Sequence, residues 1–363
     1  MSVSLPPSTL EFVECAPLAP RTTLSVGGPA RWQVDAPSAS VLSDTLRWAA
    51  DRGVPVVVLG GGSNVLIADA GFDGLVVRPR IAGLDFGEDG RVRVGAGVVW
   101  EDVVDAAVAR GWQGIECLSG IPGWAGAAPI QNIGAYGQEV ADVVERVETV
   151  RLDDGAAAEF TRADCAFGYR DSRFKKETSH VVVGLELRLR PHPLGHARYA
   201  ELARTLGVDD GAPVPLDELR RAVRALRAAK GMLHDAAGLA APDARSAGSF
   251  FTNPVVEQRL ADTLPADAPR YPVAAAGMVK LSAAWLVERA GWAKGRALGN
   301  AAISSRHSLA LVNRGGATAL EIATLAACVR ADVRRRFGVT LSPEPVFLGF
   351  ALETNALLDS LAP

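Results

Sequence analysis

Apolar residues recur along this chain with two periods, and each period predicts a kind of element. Leu42, Leu46 and Ala49 fall on one helical face, with Ser40 as the cap of a helix through Arg52 and Gly53 as its stop. Trp100–Arg110 repeats that spacing through Val104, Ala107 and Val108, and Gly111 follows it. Leu216–Lys230 carries Leu216, Leu219, Val223 and Leu226 on one stripe and ends at Gly231. Residues 280–291 and 319–337 show two further helical patterns.

A period of two marks the strands. Arg91–Gly95 alternates charged and apolar residues, and Arg146–Leu152 and Ala156–Phe160 flank Asp153-Asp154-Gly155 as a hairpin. His180–Arg190 puts Val181, Val183, Leu185, Leu187 and Leu189 on one face. Val54–Leu59 is a continuous apolar run, as a buried strand would be, and Ser308–Val312 and Pro345–Leu348 are shorter strand patterns. The proline-rich residues 1–20 predict an irregular arm. Thr22–Ala30 predicts a glycine turn against a ligand, and Gly231–Arg245 a loop.

One stretch fits neither period. From Cys117 to Gln138 there is no charge, yet five glycines and two prolines interrupt the run. That many breakers exclude a core or membrane helix. Glycine lets backbone approach a flat ligand, while Gln131, Asn132 and Tyr136 hydrogen-bond without a counter-charge. A backbone-lined slot for a planar ring system accounts for this better than a structural loop, because irregular segments this long are uncommon in compact domains.

Gly60-Gly61-Gly62-Ser63-Asn64 empties directly out of the Val54–Leu59 run, where bare amides can converge on an anion. A dinucleotide turn of the GxGxxG type is rejected: Val65 stands at the third glycine, and the following residues are strand-like.

Composition narrows the class. With 363 residues, 48% hydrophobic and 22% charged, the chain can bury two or three cores. A net charge of −3 gives no footprint for nucleic acid. Cys15, Cys117, Cys165 and Cys328 lie far apart with no metal spacing, which fits free thiols in a reducing cytoplasm and no metal. The N-terminus lacks a basic region followed by an apolar core, so neither a signal peptide nor membrane insertion is expected.

Ser119–Gly123 (SGIPG) followed by Pro129–Gly137 (PIQNIGAYG) resembles the flavin-binding segment of the UDP-N-acetylenolpyruvoylglucosamine reductases. Gly60–Asn64 is similar to the pyrophosphate loop of that fold, and the resemblance runs over roughly residues 20 to 350. It implies an α+β chain with a two-lobed FAD-binding fold of the vanillyl-alcohol-oxidase type and a smaller α+β substrate domain. The implied divisions are 20–190 for FAD (lobes 20–79 and 80–190), 191–218 covering the substrate, 219–350 binding it, and a tail at 351–363. The implied activity is reduction of UDP-N-acetylglucosamine enolpyruvate to UDP-N-acetylmuramate, with FAD and NADPH, by a cytoplasmic monomer serving peptidoglycan synthesis, cell shape and division. The alternative is another FAD-dependent oxidoreductase of the same fold, acting on a sugar or hydroxy acid. A paralogue that has lost its chemistry is a further rival, opposed by the residues that follow.

Hydride addition to an enolpyruvyl ether leaves an enolate beside a carboxylate, so the reaction requires a hydride donor, a charge clamp and a proton donor. Side chains cannot give hydride; a cofactor must. The resemblance assigns the clamp to Arg170 in YRDS, the proton donor to Ser249 in GSFF, and a catalytic glutamate to Glu344 in SPEP. Their plain alternatives are an Arg170–Asp171 surface pair, a turn serine, and a carboxylate merely held between prolines. Where the family commonly has a second glutamate this chain has Ser342, and where it often has arginine this chain has Val346; no function is carried to either.

The cofactor set implied is Gly60, Gly61, Gly62, Ser63, Asn64, Ser119, Gly120, Ile121, Pro122, Gly123, Gln131, Asn132, Gly134, Ala135 and Tyr136. Substrate contacts implied are Tyr199, Lys230, Asn253 and His307. None of the five histidines lies in Gly60–Asn64 or Gly114–Gly137, so FAD is expected to be noncovalent.

Overall fold

The computed structural model describes residues 11–233 and 242–362, so the start of the proline-rich arm and much of the Gly231–Arg245 stretch lie outside the described residues. The chain forms two compact units, and the division is not one cut. Pro17–Pro29 and Ser63–Phe72 join Lys230–Pro363 in unit 2, and the remainder up to Ala229 makes unit 1.

Unit 1 holds two large sheets beside shorter two-stranded pairs. The first is built from β1 (Phe12–Pro17), β2 (Pro29–Ala36), β3 (Val56–Val58) and β4 (Phe72–Pro79), in the order β1-β2-β4-β3. β3 and β4 run parallel, with Val57 opposite Val76. β1 stands where an irregular arm was expected; it is an edge strand, and an edge tolerates Pro17 because no ladder amide is needed there. The apolar run at Val54–Leu59 yields only three strand residues, and Val58 is 37% exposed rather than buried.

Helix α1 (Ala39–Asp51) packs on this sheet through Leu42, Leu46 and Ala49. Its cap is Ser38, not Ser40: the Ser38 backbone is extended and its hydroxyl accepts from the Val41 amide at 3.2 Å. Ser40 is already inside the first turn.

The second sheet comprises β5 (Leu84–Phe86), β6 (Arg91–Gly95), β7 (Val144–Arg151), β8 (Ala157–Thr161) and β9 (His180–Arg188), ordered β8-β7-β9-β6-β5 and antiparallel throughout. The central strand β9 is buried on both faces. Val181 and Val183 join the α1 core, while Val182, Leu185 and Leu187 join the core beneath α2 (Trp100–Ala109). Two-sided burial explains why its apolar character exceeds simple alternation. Pro191–Pro215 contains α3 (Ala200–Leu206), which packs with α4 (Leu216–Ala229) through Leu202, Ala203, Leu219 and Val223, around Cys117.

Unit 2 has an antiparallel sheet of β10 (Ser246–Ser249), β11 (Ala297–Leu298), β12 (Ala301–Ile303) and β13 (Ala310–Asn313), ordered β10-β13-β12-β11. Helix α5 (Ala283–Arg289) is shorter than the 280–291 pattern, since Met278–Leu281 is a strand. Helix α6 (Ala319–Phe337) coincides with its apolar pattern. A capping box of Thr318 and Glu321 opens it, and Arg334–Arg336 occupy its last turn, where cations suit the helix dipole. Helix α7 (Thr354–Leu361) docks on α6 through Leu357 and Leu358, with Arg330 donating to Asp359 at 2.5 Å. Phe250 and Phe251 sit fully inside this core, and truncating either to alanine would cost about 3–5 kcal/mol.

Candidate active site

The expected site residues fall into one constellation in each unit. In unit 1, β3 empties into Gly60–Gly62. Among the described residues no hydrogen bond uses the amides of Gly60, Gly61 or Gly62, nor those of Gly123 or Trp124. These two loops touch: a Cβ on Gly61 would lie 2.8 Å from Gly123 Cα and 3.5 Å from the Trp124 nitrogen. Only glycine permits that approach. Uncommitted amides on two facing backbones could hold an anion such as a dinucleotide diphosphate. Trp124 is flanked in turn by Arg78 and Arg80, whose guanidinium carbons lie 4.8 and 5.5 Å from its ring.

The glycine-rich stretch is held by long-range contacts. Trp100 donates its indole N–H to the Leu118 carbonyl at 3.3 Å. Glu101 accepts from the Ser119 hydroxyl at 2.8 Å and from the Gly120 amide. Asn132 is buried with φ +46; its side chain donates to Glu139 (2.8 Å) and to the Gly168 carbonyl (3.0 Å) and accepts from the Ala141 amide (3.0 Å). With all three bonds made inside the protein, Asn132 ties the slot to the next loop.

That next loop presents Arg170. Gly168 and Asp171 exchange both backbone hydrogen bonds, so Tyr169 and Arg170 form the tip of a tight hairpin. Arg170 has φ +52, a conformation that costs a non-glycine residue on the order of 1–3 kcal/mol and persists only where surroundings hold it. Here its guanidinium donates to the Gly134 carbonyl and, at 3.4 Å, to the Asn132 carbonyl. A Cβ on Gly134 would stand 2.8 Å from the Arg170 Nη1, so glycine is what admits the guanidinium. Asp171 pairs with Lys176 at 2.5 Å, which speaks against the plain Arg170–Asp171 reading. Farther along, Tyr136 meets Tyr199 edge to face, with centroids 5.6 Å apart. Burial raises the Tyr136 phenol to about 12, keeping it a neutral donor.

In unit 2, β10 delivers Ser249 beside Ala310, after a bulge that begins at Ser246. The chain continues as Phe250–Thr252 against Ser342–Glu344. Phe251 bridges Pro343, the Thr252 amide donates to the Ser342 carbonyl at 3.1 Å, and the Glu344 amide to the Phe250 carbonyl at 2.8 Å. Glu344 is therefore fixed one residue across from Ser249. Asn64 holds its other side: its Nδ2 donates to the Glu344 carbonyl at 3.3 Å, and its own carbonyl accepts from Val346 at 3.0 Å. Asn64 thus belongs structurally with Glu344, whereas Gly60–Gly62 belong to unit 1.

The remaining expected residues are placed as follows. Asn253 accepts from the Ala283 amide at 2.9 Å, satisfying the start of α5. His307 Nδ1 accepts from the Leu309 amide at 3.2 Å. Lys230 immediately follows α4 and is half-buried, and Tyr199 precedes α3 and is exposed. Thr22–Ala30 packs on its own unit, with Gly28 donating to the Ala68 carbonyl at 2.9 Å. Ser342 offers its carbonyl to Thr252, and Val346 is exposed.

Sequence reasoning missed Glu101 and the arginines that meet it. Arg220 (2.9 Å) and Arg224 of α4 donate to Glu101, and Arg227 donates to the Gly120 carbonyl at 2.9 Å. Their spacing of four and three residues along one helix was the available signal. Burial alone would raise the Glu101 carboxyl; the bonds from Gly120 and Ser119, with Arg224 and Arg220, overturn that and hold it below its usual value.

Comparison with known proteins agrees with this geometry. A family model described as an FAD binding domain matches residues 34–161, and one for the UDP-N-acetylenolpyruvoylglucosamine reductase C-terminal domain matches 241–348. The chain is 45% identical to the UDP-N-acetylenolpyruvoylglucosamine reductase of Thermobifida fusca, across 95% of this chain and all of that protein. It is 45% identical to the Streptomyces coelicolor protein of that name, across 96% and 94%. The crystal structure of the Thermus caldophilus reductase superposes with a TM-score of 0.62 at 28% identity, covering 93% of this chain and 98% of that one.

Proposed function

From the premise that the chain belongs to the UDP-N-acetylenolpyruvoylglucosamine reductase family, we infer how its residues divide the work. It is an FAD-containing oxidoreductase that reduces UDP-N-acetylglucosamine enolpyruvate with NADPH in peptidoglycan synthesis. When bound, FAD supplies the hydride that it takes from NADPH.

The amides of Gly60–Gly62, Gly123 and Trp124 hold the FAD diphosphate, and the uncharged Ser119–Tyr136 backbone lines the ring system. Arg170, aimed by two carbonyls, clamps the negative charge that develops on the enolpyruvyl group. Ser249 gives the proton to the carbon next to the substrate carboxylate. Glu344, whose backbone is locked beside it, lends its carboxyl to the same transfer. Tyr199 and Lys230 contact the phosphates of substrate or nicotinamide. Asn253 and His307 act through the backbone they brace. Val346 and Ser342 carry no assigned role.

FAD is held without a covalent bond, since neither cofactor loop contains histidine. Among the described residues no helix is long and apolar enough to cross a membrane. The protein works as a cytoplasmic monomer, independent of nucleic acid, and through the cell wall it serves cell shape and division.

The single observation that supports this reading is the pairing of Glu344 with Phe250, which brings the segments carrying Ser249 and Glu344 together from distant parts of the chain. The test is product formation: incubation with NADPH and the enolpyruvyl substrate yields UDP-N-acetylmuramate in amounts matching NADPH consumed. NADPH consumption without that product would contradict the reading.

A further inference from the structure

We propose that Glu101 is a positioning residue for cofactor binding, latching the arginine face of α4 onto the Ser119–Gly120 turn so that helix and turn are set together. The inference rests on the reading that Ser119–Gly123 contacts FAD.

Glu101 lies in the first turn of α2, where the helix dipole favours an anion. One carboxylate oxygen takes the Ser119 hydroxyl (2.8 Å), Arg220 (2.9 Å) and Arg224; the other takes the Gly120 amide. The four donors converge on the carboxylate, three on one oxygen and one on the other. Arg227, one turn along α4 from Arg224, donates Nε to the Gly120 carbonyl at 2.9 Å. Both backbone polar groups of Gly120 are thus held, one by Glu101 and one directly by α4.

An ordinary surface ion pair joins two side chains and contributes little. This one is partly buried, with Glu101 at 20% and Arg220 and Arg224 at 24% and 28% exposed, and its target is the backbone of a cofactor loop. The apolar side of α4 meets the same stretch: Leu219, Ala222 and Val223 cluster with Cys117. The Gly120 turn therefore cannot take its conformation independently of α4. Charge-assisted bonds of this kind are directional enough to fix it.

The test uses the full-length protein and its Glu101→Gln, Arg224→Gln and double variants. The FAD dissociation constant is measured by titrating flavin fluorescence, and proteolysis within residues 191–229 is followed with and without FAD. Each single variant should weaken FAD binding roughly tenfold to a hundredfold, the range for losing a hydrogen bond to a charged group. The double variant should be no weaker than the worse single, because both break one network. FAD should slow cleavage of 191–229 in the wild type and do so much less in the variants. Arg224→Gln keeps the question open to test if Glu101→Gln fails to fold. Wild-type FAD affinity in the folded single variants, or fully additive losses, would overturn the proposal. A wild-type protein that binds no FAD would instead remove the reading it rests on.

Discussion

The Glu344 amide donates to the Phe250 carbonyl at 2.8 Å, so the segment carrying Glu344 runs antiparallel to the one that follows Ser249. Prolines flank Glu344 and Asn64 binds its carbonyl, so the backbone there has little freedom. Because backbone bonds hold these two segments together, their pairing should survive substitution of the Ser249 or Glu344 side chain.

Ser249→Ala should separate the two half-reactions. FAD binding and its reduction by NADPH stay near wild type, while reoxidation by the enolpyruvyl substrate falls about 10²–10⁴-fold, as for loss of a positioned proton donor. Ser249→Cys should recover part of that rate. Stopped-flow traces of each half decide it: equal slowing of both would make Ser249 structural, and an unchanged second half would return it to a turn residue.

Arg170→Lys should lose far more of the second half-reaction than of the first. Lysine keeps the charge but cannot make a two-point clamp or satisfy the Gly134 and Asn132 carbonyls together. Normal turnover in the variant would show that the clamp lies elsewhere.

Gly61→Ala and Gly60→Ala make a matched pair. The Gly61 methyl meets Gly123 Cα at 2.8 Å, whereas a Gly60 methyl finds its nearest neighbours at 3.9 Å. Calorimetry of the FAD-free proteins should show Gly61→Ala less stable by about 1–3 kcal/mol, the usual cost of overpacking, and Gly60→Ala close to wild type. Equal stability of the two would mean that the loops are not in contact.

The Glu101 network has a pH signature. Its carboxyl titrates below the ordinary 4.5, so it contributes stability above that pH and loses it as pH falls through the lowered value. The melting-temperature gap between wild type and Glu101→Gln should therefore be constant from neutral pH down to 4.5 and close below it. A gap that opens on acidification would reverse the sign and refute the assignment.

Local pattern carried much of the fold. Helix α6 was legible because its apolar period runs over one continuous segment. The hairpin of β7 and β8 was legible from its Asp-Asp-Gly turn. Residues whose meaning depends on distant partners were not. Ser38 and Ser40 are of the same residue type, and it is the extended backbone at Ser38 that makes it the cap. Pro17 hides an edge strand that needs no amide from it. Glu101 meets arginines more than a hundred residues away, and Asn132 meets Gly168, so neither leaves a local trace beyond its residue type. Motif resemblance pointed to Arg170, Ser249 and Glu344, but carried nothing of the backbone bonds around them.

The most direct test is the visible absorption of the purified protein, recorded anaerobically through one cycle. An oxidised flavin spectrum should bleach on adding NADPH and return on adding UDP-N-acetylglucosamine enolpyruvate, with UDP-N-acetylmuramate formed in equal amount. Acid precipitation should then leave the yellow colour in the supernatant. A protein that cannot be loaded with FAD, or a bleached flavin that the enolpyruvyl substrate leaves bleached, would contradict the proposed function.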